Sequence, residues 1–183
     1  MSDTQELFEG TLAEESMKAA ADEKVTPKGR YRAVVKNFAG GRDEKEFFDK
    51  NEMERNPYFG KMRWNIQLTL SSIRGGEAMD PKESKGMPWI SLDSPRTFFL
   101  KLCTSVVKGS SGKMTSESKV YADLAVVVGR ELNRTPSDKD IHDWLQDGAI
   151  EIYIDQYEGG TSKDGSRSWN AGNRVNSITR ATD

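Results

Sequence analysis

The stretch Gly60–Ile73, GKMRWNIQLTLSSI, alternates apolar and polar side chains without a break. Successive side chains of a β-strand point to opposite faces, so this run has one apolar face and one hydrogen-bonding face. A helix would instead repeat its apolar positions every three or four residues. The stretch therefore predicts a strand of an antiparallel sheet that covers a core on one side only. The apolar set is Met62, Trp64, Ile66, Leu68 and Leu70, and the polar set is Arg63, Asn65, Gln67, Thr69 and Ser71.

Four more segments have the composition of strands. Gly29–Phe38, GRYRAVVKNF, precedes the central stretch, and Met87–Asp93, MPWISLD, follows it. Ala149–Tyr157, AIEIYIDQY, alternates as cleanly as the central stretch, and Arg174–Thr179 is a last short strand. The polar face of the first of these segments is expected to carry Arg30, Arg32, Val34, Lys36 and Phe38.

Three helices are predicted between the third and fourth strands. Ser94 followed by Pro95 is a typical helix start, with serine as the N-cap and proline in the first turn. The pattern therefore predicts a helix over Pro95–Val107, with Phe99, Leu102, Cys103 and Val106 on its buried side. Apolar residues at helical spacing predict a second helix over Ser116–Asn133 and a third over Ser137–Asp147.

The order of these elements predicts the fold. Three strands, a helical segment and two strands match a five-stranded antiparallel barrel of the OB-fold type, whose helix lies between strands 3 and 4. Here that segment is enlarged to about 55 residues, Ser94–Gly148. We therefore expect a mainly β protein with helical insertions, formed by residues 26–183 and preceded by an acidic arm, residues 1–25.

The charge distribution agrees with this division. The whole chain has a net charge of −2 from 27 basic and 29 acidic residues. Residues 1–25 contain seven of the acidic and two of the basic side chains, which leaves 22 acidic and 25 basic residues in the rest. A mildly basic body permits a nucleic-acid partner but does not require one.

Few residues suited to catalysis are present. One histidine and one cysteine leave no disulfide framework and no zinc-binding spacing. GSSGKM, residues 109–114, lacks the spacing of a phosphate-binding loop. The carboxylates of Asp93, Glu151 and Asp155 would form a magnesium-dependent nuclease site only if they converged in space. The sequence therefore favours a non-enzymatic protein without metal or cofactor.

Bases and aromatic residues are interleaved along the predicted polar surface. Proteins that bind single strands combine a positive groove for the phosphates with flat side chains on which bases stack. Some of these aromatics could instead anchor the 39–60 loop against the barrel. The candidate nucleic-acid-binding residues are Arg30, Arg32, Lys36, Phe38, Phe47, Phe48, Tyr58, Phe59, Lys61, Arg63, Tyr153, Arg167, Trp169 and Arg174.

Four segments carry a resemblance to a known family: GRYRAVVKNF, the long alternating strand, the short strand before Ser94-Pro95, and the ending WNAGNRVNSI, Trp169–Ile178. In this order they resemble phage-encoded single-stranded DNA-binding proteins of the OB-fold type. The resemblance implies a protein that coats single strands in phage replication or recombination, often as a dimer. One departure concerns the acidic segment, because the chain ends in ITRATD and its acidic residues cluster in the arm at residues 1–25. Recruitment of replication or recombination proteins would then fall to that arm.

Two functions remain open at this point. The first is sequence-tolerant binding of single-stranded DNA by phosphate contacts and base stacking. The alternative is a structural or protein-interaction module of a viral assembly that does not bind nucleic acid.

No apolar run approaches the ~20 residues of a membrane span, and the N-terminus lacks a signal-peptide pattern. We therefore expect a cytoplasmic protein, in the host cell if it is viral.

Overall fold

The computed structural model describes residues 25–42, 57–77, 79–109, 111–166 and 168–183. The predicted acidic arm lies outside this range except for Val25. The described residues form strands and two helices in the following order: β1 Gly29–Arg42, β2 Met62–Arg74, β3 Trp89–Cys103, α1 Ser116–Leu132, α2 Asp138–Gln146, β4 Ile150–Tyr157, β5 Gly160–Thr161, β6 Ser168–Trp169 and β7 Gly172–Arg180.

Five strands form one antiparallel sheet in the order β3-β2-β1-β4-β7. β1 is central: β2 pairs along nearly its whole length, whereas β4 pairs only with Gly29–Ala33. The mainly β, five-stranded antiparallel prediction is confirmed. The sheet is not closed into a barrel, because β3 and β7 end it as edge strands and no ladder joins them within the described residues. β5 and β6 form a separate two-stranded hairpin between β4 and β7.

The inner face of the sheet covers the core. The alternation of the central stretch is realised in β2, where Trp64, Ile66, Leu68 and Leu70 are buried. Tyr31 of β1 is fully buried, and its hydroxyl donates a 2.7 Å hydrogen bond to the carbonyl of Pro27. Burial raises the pKa of Tyr31 to about 12, so this phenol remains neutral at physiological pH.

The predicted helix over Pro95–Val107 is wrong, because its residues up to Cys103 belong to β3 and the last four are not helical. Val106, predicted on the buried side, is 65% exposed. The side chains in the second half of β3 alternate, with Phe98, Leu100 and Leu102 buried and the intervening residues exposed. The register between β2 and β3 shifts here, and the four residues Leu92–Pro95 form a bulge opposite the single residue Ser71 of β2. A proline is tolerated in a bulge of an edge strand, where no ladder hydrogen bond depends on its missing N–H.

The other two helices are confirmed. α1 ends at Leu132 and is capped by Asn133, which has the left-handed conformation, with φ of 55°. α2 begins with a capping box in which Ser137 and Asp140 bond each other's backbone N–H groups. Both helices contribute apolar side chains to the core, and α1 contacts both edge strands. Within the described residues, neither helix is long and apolar enough to cross a membrane.

Candidate nucleic-acid interface

The face of the sheet opposite the core, here called the outer face, presents rows of side chains across β1, β2 and β3. Gln67 lies opposite Asn37 on one side and Phe99 on the other. Asn65 in the same way lies opposite Ala39 and Lys101. None of these residues is acidic, and each row contains a carboxamide that both donates and accepts hydrogen bonds. The next row is formed by Val34, Thr69 and Thr97.

Phe99 is an exposed aromatic residue of this face. Its side chain is 54% exposed, although phenylalanine is usually buried. It belongs to β3, where the exposed residues Thr97 and Lys101 lie two positions before and after it. The helix prediction placed Phe99 in the core, so it was missed as a candidate. The alternation of Phe98, Leu100 and Leu102 is the signal that could have found it.

Three basic residues accompany the outer face. Lys36 is the extra residue where the pairing of β1 with β2 shifts register, and Lys101 lies on β3. Both are exposed and have no ion-pair partner among the described residues. Arg32 forms an exposed ion pair with Asp183, at 3.3 Å. An exposed pair of this kind contributes little, so Arg32 can exchange Asp183 for a phosphate.

Arg63 is held by its own chain. Its guanidinium donates two hydrogen bonds to the carboxylate of Glu117 in the first turn of α1, at 2.9 and 3.1 Å. It also lies over the ring of Tyr58, 4.4 Å from the ring centroid. Burial raises the pKa of the Tyr58 phenol above its usual value, so the ring stays uncharged near neutral pH. The structure therefore brings these two predicted site residues together, but with Arg63 already neutralised.

Arg30 and Tyr153 form a second internal cluster with Glu151. The Arg30 guanidinium lies 5.0 Å from the Tyr153 ring centroid and 3.5 Å from a Glu151 carboxylate oxygen. Its Nε also donates to the carbonyl of Pro81, in the loop that follows β2. Glu151 in turn accepts a 2.9 Å hydrogen bond from Arg74, whose side chain is only 5% exposed. Arg30 and Tyr153 thus join a buried ion cluster instead of lining an open surface.

Phe38 lies on the inner face, so its predicted outward position is wrong. The register shift between Val35 and Asn37 inserts Lys36 and reverses the faces of the residues that follow. Phe38 packs edge-on against Trp64, with 5.1 Å between ring centroids, and against His142, with 4.4 Å. Since it is half-buried against the core, its ring is not presented to a base on the outer face.

A groove, here called the seam groove, lies between the edge strands β3 and β7. It has a volume of about 670 Å³, within the ~300–1,000 Å³ typical of ligand sites. One wall is formed by residues 97–101 of β3, and the other by Tyr157 and residues 171–175. Tyr157 is 39% exposed, and the guanidinium of the predicted site residue Arg174 lies 5.7 Å from its ring centroid.

The remaining predicted site residues are dispersed. Trp169 is 49% exposed on the β5–β6 hairpin, where its indole N–H donates to the carbonyl of Glu158 at 3.1 Å. Phe59 and Lys61 are exposed just before β2. Phe47, Phe48 and Arg167 lie outside the described residues.

The carboxylates considered for a nuclease are not brought together. Glu151 belongs to the buried ion cluster, Asp93 to the bulge of β3 and Asp155 to the far half of β4. In the part of the chain that the structure describes, no three histidine, cysteine or acidic side chains form a possible metal site. Cys103 is buried, as expected, although it ends a strand and not a helix.

Comparison with protein-family models, curated proteins and solved structures gave no match for this chain.

Proposed function

We propose that this chain binds single-stranded DNA, without strong sequence preference, on the outer face of β1, β2 and β3. The proposal rests on one observation: exposed Phe99 and Lys101 stand beside the carboxamides of Asn65 and Gln67 on rows that contain no acidic residue. A flat ring offers stacking to any base, a lysine attracts phosphates, and carboxamides bond base edges. Binding of this kind needs no catalytic group or cofactor.

The strand order supports an OB-type interpretation of the open sheet. In an OB-fold, oligonucleotides bind on the face formed by strands 2 and 3. Here Phe99 and Lys101 lie on β3, which pairs with β2. The resemblance noted in the sequence extends this proposal to phage replication or recombination in the cytoplasm of the host cell. A second copy of the chain, and replication or recombination proteins that bind the acidic arm, are the further partners we propose.

The salt dependence of binding tests the phosphate contacts. We expect the double variant Lys36→Ala/Lys101→Ala to bind more weakly. The slope of log K against log salt should become less negative by about 1.4, because each phosphate contact to a single strand contributes about 0.7. The measurement is fluorescence anisotropy of labelled oligo-dT of about 30 nucleotides, longer than the site size of one OB domain. It is repeated at several salt concentrations with duplex DNA as competitor.

Lys82→Ala/Lys85→Ala is the matched control for this experiment. These two exposed lysines lie in the loop after β2, near the buried ion cluster and outside the outer-face rows. The control is expected to keep the wild-type slope. An unchanged slope in the Lys36/Lys101 variant, or an equal reduction in the control, would contradict the proposed contacts.

A protein-interaction module is the second candidate, and one observation favours it. Both β3 and β7 are edge strands, which present backbone groups that another strand can pair with. Ile90 of β3 and Met87 just before it are exposed apolar residues beside that edge. This candidate predicts self-association in sedimentation velocity together with no binding of oligo-dT at low salt.

A further inference from the structure

The row that begins with Asn37 on β1 leads across the sheet into the seam groove. Gln67 continues the row on β2, and Phe99 ends it on β3. Phe99 is also part of the groove wall, as is Lys101. A ligand that crosses the outer face along this row therefore arrives at the groove without turning away from the protein.

Both walls of the seam groove offer the same pair of chemical groups. β3 contributes the ring of Phe99 and the ammonium of Lys101, while the opposite wall contributes the ring of Tyr157 and the guanidinium of Arg174. Both rings are substantially exposed, at 54% and 39%. A nucleotide has a flat base and a phosphate, which match a ring and a cation.

The acidic residue in the groove does not oppose this ligand. Glu117 lines the groove at the start of α1, but both of its carboxylate oxygens accept hydrogen bonds from Arg63. Its negative charge is thus compensated inside the protein. Lys101 and Arg174 remain as the exposed charges of the two walls.

Gly172 leaves space for the Tyr157 ring. The two residues are paired across β4 and β7, and the ring lies so close to Gly172 that a Cβ there would be 2.5 Å from the hydroxyl oxygen. Any side chain at this position would push the ring away, since real Cβ contacts are not that short. The sequence thus keeps the backbone clear where the ring lies.

We propose that the seam groove is a second binding site for the same single strand and takes at least one base with its phosphate. The base stacks on Phe99 or Tyr157, and Lys101 and Arg174 bind the backbone on either side. This inference rests on the proposed function, because it continues the path of the strand from the outer face. A protein strand added to the open edges would be held mainly by their backbone groups, whereas a nucleotide is held by these four side chains.

Three variants test the seam groove in the full chain, with oligo-dT of about 30 nucleotides as the probe. We expect Tyr157→Ala to raise Kd by about 5- to 150-fold, because loss of one stacked base costs about 1–3 kcal/mol. Arg174→Ala is expected to reduce the salt slope by about 0.7. Gly172→Ala keeps both groups but displaces the ring, so it is expected to weaken binding as well.

Conservative and distant variants separate binding from folding. Tyr157→Phe keeps the ring and is expected to recover most of the affinity that Tyr157→Ala loses. Arg130→Ala removes an exposed arginine at the end of α1, outside the groove, and is expected to bind as wild type. Photocrosslinking with 5-iodo-deoxyuridine in the probe should label the peptide that contains Tyr157.

The outcomes distinguish this inference from the proposed function. If Phe99→Ala weakens binding but the three seam variants bind as wild type, the seam groove is not a DNA site and the outer face still is. If wild-type protein does not bind the probe even at low salt, both are overturned. Equal losses in Tyr157→Ala and Tyr157→Phe would also overturn it, because stacking does not need the hydroxyl.

Discussion

Replacing Glu151 with alanine is expected to lower the free energy of unfolding by about 3–5 kcal/mol, the cost of leaving a buried charge without its partner. Glu151 has a side chain only 9% exposed and accepts hydrogen bonds from Arg74 and Arg30. Without its carboxylate, Arg74 would keep only neutral acceptors, which are the carbonyls of Met87 and Thr182 and the hydroxyl of Thr182. Urea unfolding followed by tryptophan fluorescence measures the change.

Asp183→Ala is the control for this prediction. It removes the carboxylate of the exposed pair with Arg32, which should cost no more than about 1 kcal/mol. Glu151→Gln keeps the shape and one acceptor oxygen, so we expect a loss between those of the other two variants. Equal losses in Glu151→Ala and Asp183→Ala would mean that the buried cluster contributes no more than a surface ion pair.

Replacing Phe99 with alanine is expected to weaken binding of oligo-dT by about 1–3 kcal/mol, the usual effect of losing a stacked base. Phe99 ends the Gln67 row and also lines the seam groove, so its ring serves both parts of the proposed path. Because the side chain is 54% exposed, the stability of the fold should change by less than about 1 kcal/mol. Anisotropy titration measures the first quantity and urea unfolding the second.

Ile90→Ala provides a matched comparison on the same strand. Ile90 is 49% exposed, similar to Phe99, but lies beyond the bulge and outside the outer-face rows. We expect it to leave DNA affinity unchanged. If Phe99→Ala binds oligo-dT as wild type, the stacking role proposed for the outer face is wrong.

The sequence predicted the elements whose signals are local. The alternation in β2 fixed its two faces, and Ser137 with Asp140 marked the start of α2. A local signal gave the wrong prediction in β3, because Ser94-Pro95 has the pattern of a helix start but forms part of a bulge. Burial of every second side chain, Phe98, Leu100 and Leu102, favours the strand. Three buried core side chains contribute more to stability than one helix cap at Ser94-Pro95 would.

The candidate site was harder to predict because it depends on distant partners. Arg63 is neutralised by Glu117, 54 positions away, and Arg30 contacts Glu151, 121 positions away. No spacing in the sequence reveals such pairs. Phe38 was misplaced for another reason, because one extra residue in a strand reverses every later side chain and leaves no mark in the composition.

The bulge in β3 also bears on solubility. A long edge strand is a template on which other chains can assemble into fibres or aggregates. Leu92–Pro95 interrupts the pairing of β3 with β2, and it places a negative charge at Asp93 and a residue without an N–H at Pro95 on that edge. The eight residues from Arg96 to Cys103 remain as the longest regular run. The edge strand β3 can therefore stay unpaired and available to a ligand. The bulge keeps it from offering a full-length template to copies of the protein.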